Sequence, residues 1–545
     1  MKRLGCYILA LALAGCIVND IPYPLVVCRI ESIAAEGLSG EPTIDEKELR
    51  VILPLEETTD IQAVEITDCT VTENANLSTP IVGRHNMRTP LYVNLSIYQD
   101  YPWTIEARQT IERKFAVEGQ IGTTEWDTTA RTAKAYVGFE DLSQVTVTAL
   151  KLGPRDISTM SCTDVLELDD TNLDRLHDFS KGARRVDVTY HGHTKDWYLT
   201  VEYTEVKVRF SRIAPWTHSA WLHAEGLSGT KLGFRYRAAG TEEWTEVAQE
   251  TLTVNGGLFS AQVRGLLPET GYEAVAYSGD DESEIEKFTT EAALPLPNAG
   301  FEEWSKPGKI IYPYLSEDQA FWDSGNKGSI SAGETICEGS PDVRPGSAGA
   351  ASACLSSRFA SLMGIGKFAA GNIFIGTYAE TVGTNGKVNF GRPFATHPIA
   401  LRGWVKYTQG QIDIDMKQVT TMPPGQTLTN DDMDEGSIYI ALGTWTPEEY
   451  GGTAESPVQV YTKTPPIVFN PNGKDVLGYG ELIFKKSTDG WIPFNIEIDW
   501  RNTDIQPTHM MIVCSGSRWG DYFVGSTQSR MWVDDFELLY DYADL

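Results

Sequence analysis

Basic residues are scarce in this chain: 45 Lys and Arg stand against 75 Asp and Glu, a formal charge of −30 over 545 residues. A surface that acidic repels phosphate backbones, which argues against nucleic acid as a partner and leaves neutral sugars, cations and proteins. Cysteine is sparse too, 8 in all. None are spaced C-x-x-C and no histidine pair accompanies them, so zinc is not expected. After the N-terminus no apolar run approaches the about eighteen residues that a membrane-spanning helix needs. There is no G-x-S-x-G elbow, no H-E-x-x-H, no P-loop and no G-x-G-x-x-G after a strand, so the common hydrolase, zinc-protease and nucleotide-binding signatures are missing. His397 and His509 each stand alone beside apolar residues, a pattern of structural histidines. The run DDESEIE (280–286) repels itself and reads as a solvated loop.

What is present suits several packed cores. Hydrophobic residues make up 41% and aromatic residues 10% of a chain too long for one core, and roughly three to five domains is the natural expectation. Apolar residues alternate with polar ones, and β-branched residues are frequent, so the chain reads as strands throughout. Two segments repeat one layout. IDEKELRVILPLEETTDIQAVEITD (44–68) is echoed by WDTTARTAKAYVGFEDLSQVTVTA (126–149), and PLYVNLSIYQDYPWTIEA (90–107) by VDVTYHGHTKDWYLTVEY (186–203). Matching positions lie about 80 to 95 residues apart, the size of one small β-sandwich. This predicts two tandem immunoglobulin-like units, 27–117 and 118–206, with Trp103 and Trp197 in their cores. A third unit, 207–291, carries Leu266, Pro268, Thr270 and Tyr272 in an L-x-P-x-T-x-Y turn that resembles fibronectin type III domains. There the tyrosine hydroxyl ties a strand corner back to the backbone.

The N-terminus reads MKRLGCYILALALAGC, two basic residues, a short apolar run and small residues before a cysteine. Leu13-Ala14-Gly15-Cys16 resembles a bacterial lipobox, which implies a signal peptide over 1–16, lipidation of Cys16 and a tether over 17–26. An ordinary secretory signal is the other reading. The resemblance implies an outer membrane lipoprotein facing the periplasm or the cell surface, and Asp20 resembles the acidic surface-export cue of Bacteroidetes-type bacteria. An oxidising compartment permits Cys28–Cys69 or Cys337–Cys354 disulfides, with buried free thiols as the alternative.

The last segment, 295–541, opens with LPLPNAGFEEWSKPG (294–308) and closes with WVDDFEL (532–538). N-x-G-F-E-x-W and W-V-D-D-F-E-L together resemble the bracketing strands of jelly-roll carbohydrate-binding modules. The resemblance implies a structural calcium held by Glu302 and Asp535, with Asp534 the alternate; hard oxygen ligands suit that ion. Carboxylates facing solvent at strand ends are the other reading. FWDSGN (321–326), AAGNIFIG (369–376), GRPFATHPIALRGWVKY (391–407) and SRWGDYFVGS (517–526) fall in the order seen in the putative carbohydrate metabolism domain of Bacteroidetes lipoproteins. The expected fold is therefore all-β: two tandem Ig-like sandwiches, a fibronectin type III-like sandwich and a C-terminal β-jelly roll.

Function then divides. A glycan-binding protein needs aromatic faces for sugar rings and polar groups for their hydroxyls. Trp322, Asp323 and Asn326 offer these, as do Arg518, Trp519, Asp521 and Tyr522, with Tyr439 and Trp445 in SIYIALGTWT. Trp304 and Trp404 lie in strand-like runs and read as core. The alternative is a glycoside hydrolase, which needs two carboxylates facing each other; Asp323, Glu380 and Asp521 are the candidates. The remaining class is an adhesin or structural protein that binds other cell-surface proteins through its sheets. Glycan binding is the favoured expectation, because stacking groups are present and no acid/base motif is.

Overall fold

The structure, a computed structural model, describes residues 27–545 apart from Lys47, Asp164, Met363 and Gly364. The signal peptide, the tether and Cys16 lie outside the described residues. The chain divides into two units at Glu205–Val206. Among the described residues no helix is long and apolar enough to cross a membrane.

The first unit holds two sandwiches, and the sequence repeat is visible in their pairing. In the first, Arg50–Leu55 pairs in parallel with Asp100–Gln109; in the second, Thr132–Val137 pairs in parallel with His193–Tyr203. Trp103 and Trp197 sit on the second strand of each pair and are buried, as their alternation predicts. The Trp103 indole N–H donates to the Cys28 carbonyl at 3.1 Å, and the Arg113 guanidinium lies over Trp197. The boundary falls earlier than expected. Lys114–Val117 pairs with Val147–Lys151, and Phe115 and Val117 pack into the second core. All six described cysteines are free thiols, so neither disulfide forms. Cys28 points into its core while Cys69 is only half-buried on a neighbouring strand.

The second unit begins with two facing sheets over Arg209–Thr289. The tyrosine corner is formed: the Leu267 N–H donates to the Tyr272 hydroxyl at 2.9 Å. A larger sandwich follows. One sheet has nine strands, with Gly436–Gly443 between Val476–Phe484 and His509–Ser515, and Asn372–Val382 beyond the latter. The other orders Cys337–Ser340, Ser352–Ser356, Arg530–Leu539, Ala400–Thr408 and Ile492–Glu497. Between them lies the main core, which includes Phe301, Trp322, Ile440, Ile512 and Phe536.

The fibronectin-like module is joined to this sandwich by packed side chains, rather than by a stiff linker alone. Trp216 packs against His397 and Trp500, and its indole N–H donates to the Thr503 carbonyl. Arg264 lies over Tyr542. Asn298–Trp304, expected as the first strand, forms a tight turn instead. Asn298 and Phe301 take positive φ, and the Asn298 side chain bridges the Glu303 N–H and the Pro313 carbonyl. The turn still meets the last strand, where the Phe536 N–H donates to the Ala299 carbonyl at 2.9 Å.

Candidate ligand cavity

The nine-stranded sheet is covered on both faces. Ile438, Ile440 and Leu442 enter the main core, so their neighbours Ser437, Tyr439 and Ala441 face the other way. Met510, Ile512 and Cys514 alternate in the same manner with Met511, Val513 and Ser515. On this second face a smaller apolar cluster, with Phe374, Phe390 and Trp445, packs under the 444–475 loops. Beside it lies a cavity of about 520 Å³. Tyr439, Phe374, Tyr378 and Phe368 supply aromatic wall and Ser437 a hydroxyl, while Ser515, Asn372 and Thr462 line it with side chains that also bond backbone groups. A second cavity of about 120 Å³ shares Lys367, Phe368, Asp521 and Phe523 with the first.

One wall is the 517–526 loop, and a buried carboxylate ties both its ends. Asp434 Oδ2 accepts from Ser517 Oγ at 2.5 Å and from the Ser526 N–H at 2.9 Å, while Oδ1 accepts from the Glu435 N–H. Burial pushes the Asp434 carboxyl up to about 6, against those stabilising hydrogen bonds. Gly520 allows the loop to pass against Ala370, where a Cβ would collide with that methyl group. Arg518 makes a forked pair with Glu481, at 3.1 and 3.2 Å, and stacks on Trp519. Tyr439 and Glu481 are direct cross-strand partners, so this ion pair buttresses the Tyr439 wall.

Asp521 is the sole carboxylate lining the larger cavity among the described residues. It makes no hydrogen bond or ion pair with a described side chain, and desolvation pushes its carboxyl up to about 6. The cations that share the cavity are engaged elsewhere. Lys367 Nζ donates to Asn385 Oδ1 at 2.7 Å and lies 3.8 Å from the Phe523 ring centroid; its burial lowers the ammonium's affinity for its proton.

The structure brings only some of the expected residues together. Tyr439, Arg518 and Asp521 line the larger cavity, and Asp521 and Tyr522 the smaller. Trp519 packs in a side cluster with Phe368 and Val524. The FWDSGN residues are not ligand groups. Trp322 is fully buried, its indole N–H spent on the Pro297 carbonyl. Asn326 is buried with its amide satisfied by Ile311, Ile336 and Cys337 backbone. Asp323 is buried, accepting from the Tyr378 N–H at 2.8 Å and facing Lys327 at 3.3 Å. Trp445 is also core, edge-on to Phe469. Glu380 is exposed and paired with Lys387 at 2.6 Å. The three carboxylates expected for hydrolysis therefore occupy three different settings. Trp404, expected in the core, is half-buried under the Arg344 guanidinium. Tyr378, Phe368 and Lys367 were not expected; the first two are apolar letters in strand-like runs, indistinguishable there from core.

Glu302, Asp534 and Asp535 do share one corner. A Cβ on Gly300 would lie 3.3 Å from Asp535 Oδ1 and 3.8 Å from Glu302 Cγ. Their oxygens are largely engaged by protein donors. Glu302 accepts from the Ala350 and Ala351 N–H groups, Asp534 Oδ2 from the Arg344 N–H, and Asp535 Oδ2 from Arg344 Nε at 2.6 Å. Asp534 Oδ1 alone is buried without a partner, and among the described residues no group of three His, Cys, Asp or Glu is placed to hold a metal. With the Arg344 guanidinium on Asp535 and backbone N–H groups on Glu302 and Asp534, the side chains as arranged leave few oxygens free for calcium.

The fold and cavity define an all-β protein of several sandwiches whose last one carries an aromatic-walled pocket. Residues 300–539, which span the C-terminal sandwich, match the family model described as "Putative carbohydrate metabolism domain". No curated protein matches the chain. Among solved structures, a putative glycoside hydrolase from Bacteroides thetaiotaomicron is 14% identical, covering 95% of this chain and 98% of that one, with a TM-score of 0.30. Another putative glycoside hydrolase, from Bacteroides vulgatus, is 19% identical over 45% of this chain and 98% of that one, with a TM-score of 0.33. The four N-terminal Ig domains of Dscam1 isoform 1.9 are 11% identical over 48% and 79%, with a TM-score of 0.17. The fold assignment rests on the sheets themselves.

Proposed function

We propose that the C-terminal sandwich binds glycans in this cavity, and that the protein works from a membrane to which Cys16 anchors it, with the N-terminal sandwiches as spacers. The observation that carries the reading is the cavity's make-up: about 520 Å³, lined by aromatic rings, serines, an asparagine and, among the described residues, one carboxylate. That volume and mixture suit a small polar ligand with apolar faces, as a sugar ring is. The family's carbohydrate description supports the same class. Glycan-array screening of the chain, followed by titration calorimetry of any hit, tests it. Tyr439→Ala and Phe374→Ala should each weaken binding at least tenfold; full retention in both would remove the cavity from the reading.

A hydrolase reading draws on one observation, the protonation of Asp521 near pH 6, which suits a general acid. Glycoside cleavage uses two carboxylates ~5–9.5 Å apart; among the described residues Asp521 is the sole carboxylate of the larger cavity, and Asp415 joins it only in the lining of the smaller one. Release of reducing ends that disappears in Asp521→Asn would make the enzyme the better reading.

A further inference from the structure

We propose that the cavity selects an amine-bearing ligand, an amino sugar with a free ammonium group, held by Asp521. This deepens the glycan-binding reading and rests on it. Three observations converge. Asp521 is the lone carboxylate of the larger cavity's lining among the described residues; it is partly exposed and forms no hydrogen bond or ion pair with a described side chain. Both lining cations are committed away from it, Arg518 to Glu481 and Lys367 to Asn385 and Phe523. Tyr439, Phe374, Tyr378 and Phe523 place ring surface around the same space.

A carboxylate among aromatic walls carries an uncompensated negative charge. Neutral hydroxyls would offer it hydrogen bonds but no countercharge. An ammonium supplies both, through charge-assisted bonds, and aromatic faces favour it further by cation–π attraction. Anionic sugars are disfavoured by the same geometry, because the guanidinium and ammonium that could receive a uronate already have partners. The smaller cavity also opens on Asp521 and adds Asp415 and Lys463, so the proposal concerns the larger cavity, where Asp521 has no second carboxylate beside it among the described residues.

The test is a matched series titrated by calorimetry at pH 6.5 against the full chain: the glucosamine trimer, its N-acetylated counterpart, and a neutral glucose trimer. The expected result is binding of the amine at least tenfold tighter than either neutral trimer, with that preference lost in Asp521→Asn. Should the variant fail to fold, the comparison of amine with N-acetyl trimer on the native protein decides alone. Equal or tighter binding of the neutral trimers overturns amine selection and leaves glycan binding standing. If the glucosamine trimer does not bind while the array yields neutral or anionic glycans, amine selection is likewise overturned. An array on which no glycan binds removes both readings.

Discussion

The imidazole of His397 lies flat on the indole of Trp216, ring centroids 4.7 Å apart and planes 6° apart. It joins two modules, since Trp216 belongs to the fibronectin-like sandwich and His397 to the jelly roll. Glu291 closes the joint from the connecting segment, accepting from the His397 N–H at 3.0 Å and facing Nδ1 at 2.9 Å. Both side chains are nearly buried, 4% and 10% exposed, so cutting His397 back removes the ring's contact with Glu291 and leaves the backbone N–H on that carboxylate. His397→Ala should cost about 1–3 kcal/mol, summing a lost ring stack and a lost hydrogen bond to a carboxylate. Urea unfolding followed by tryptophan fluorescence should show the two modules melting together in the native chain and separately in the variant. A single unshifted transition would mean the joint is decorative.

Asp434 holds the cavity's mobile-looking wall without touching its interior. Removing its carboxylate frees Ser517 Oγ and the Ser526 N–H at once, the two ends of the loop that carries Arg518 and Asp521. Asp434→Ala should weaken ligand binding at least tenfold and raise hydrogen exchange across 517–526, while Asp434→Asn, which keeps an acceptor, should retain part of both. Unchanged exchange in the alanine variant would show that the loop stands without this tie.

How much of this could be read from the sequence depended on whether one face of a strand meets water. Trp103 and Trp197 were legible because their sandwiches are polar outside, so alternation assigns each residue a side, whereas Tyr272 was legible from the L-x-P-x-T-x-Y turn that resembles fibronectin type III domains. The meeting of Glu302 with Asp535 was legible from the matching ends of the domain, although the turn at Asn298 was not. The cavity was hidden because its sheet is covered twice. In SIYIALG the core residue Ile440 and the cavity residue Tyr439 are both apolar letters, and no period separates them. Trp322 and Asn326 misled for the converse reason, since a buried amide that satisfies backbone looks in sequence like one awaiting a ligand.

Arg344 bonds both Asp534, through its backbone N–H, and Asp535, through its guanidinium, and we propose that it balances the Glu302–Asp535 corner without an ion. If so, chelation should be silent: excess EDTA should leave the thermal transition within about 1 °C. Arg344→Ala should leave three carboxylates facing one another and lower stability by about 1–3 kcal/mol. Added calcium should then recover part of that loss in the variant alone. A fall of several degrees on chelation of the native protein would instead place an ion at the corner.

Acid should stabilise the C-terminal sandwich over a defined window. Asp434 and Asp521 are both pushed up to about 6 by burial, above the ordinary value near 3.8. A carboxyl with a raised folded value favours folding in its protonated form. Its contribution is complete below the unfolded value, is lost as pH rises through about 6, and is absent above. Carboxylates held low by partners, such as Glu273 beside Arg237 and Asp342 beside Lys406, act in the opposite sense, but only near and below their ordinary values. Between pH 7 and pH 5 the raised carboxyls should therefore dominate, Asp434 and Asp521 each adding about 1 kcal/mol on acidification, and Asp323 and Asp534, also raised by desolvation, acting in the same sense. Denaturant titrations at the two pH values measure this directly. Asp521→Asn should lose about 1 kcal/mol of the gain and be more stable than the native protein at pH 7. If its response to pH equals that of the native chain, Asp521 does not titrate in this window and its carboxylate is better solvated than the cavity implies.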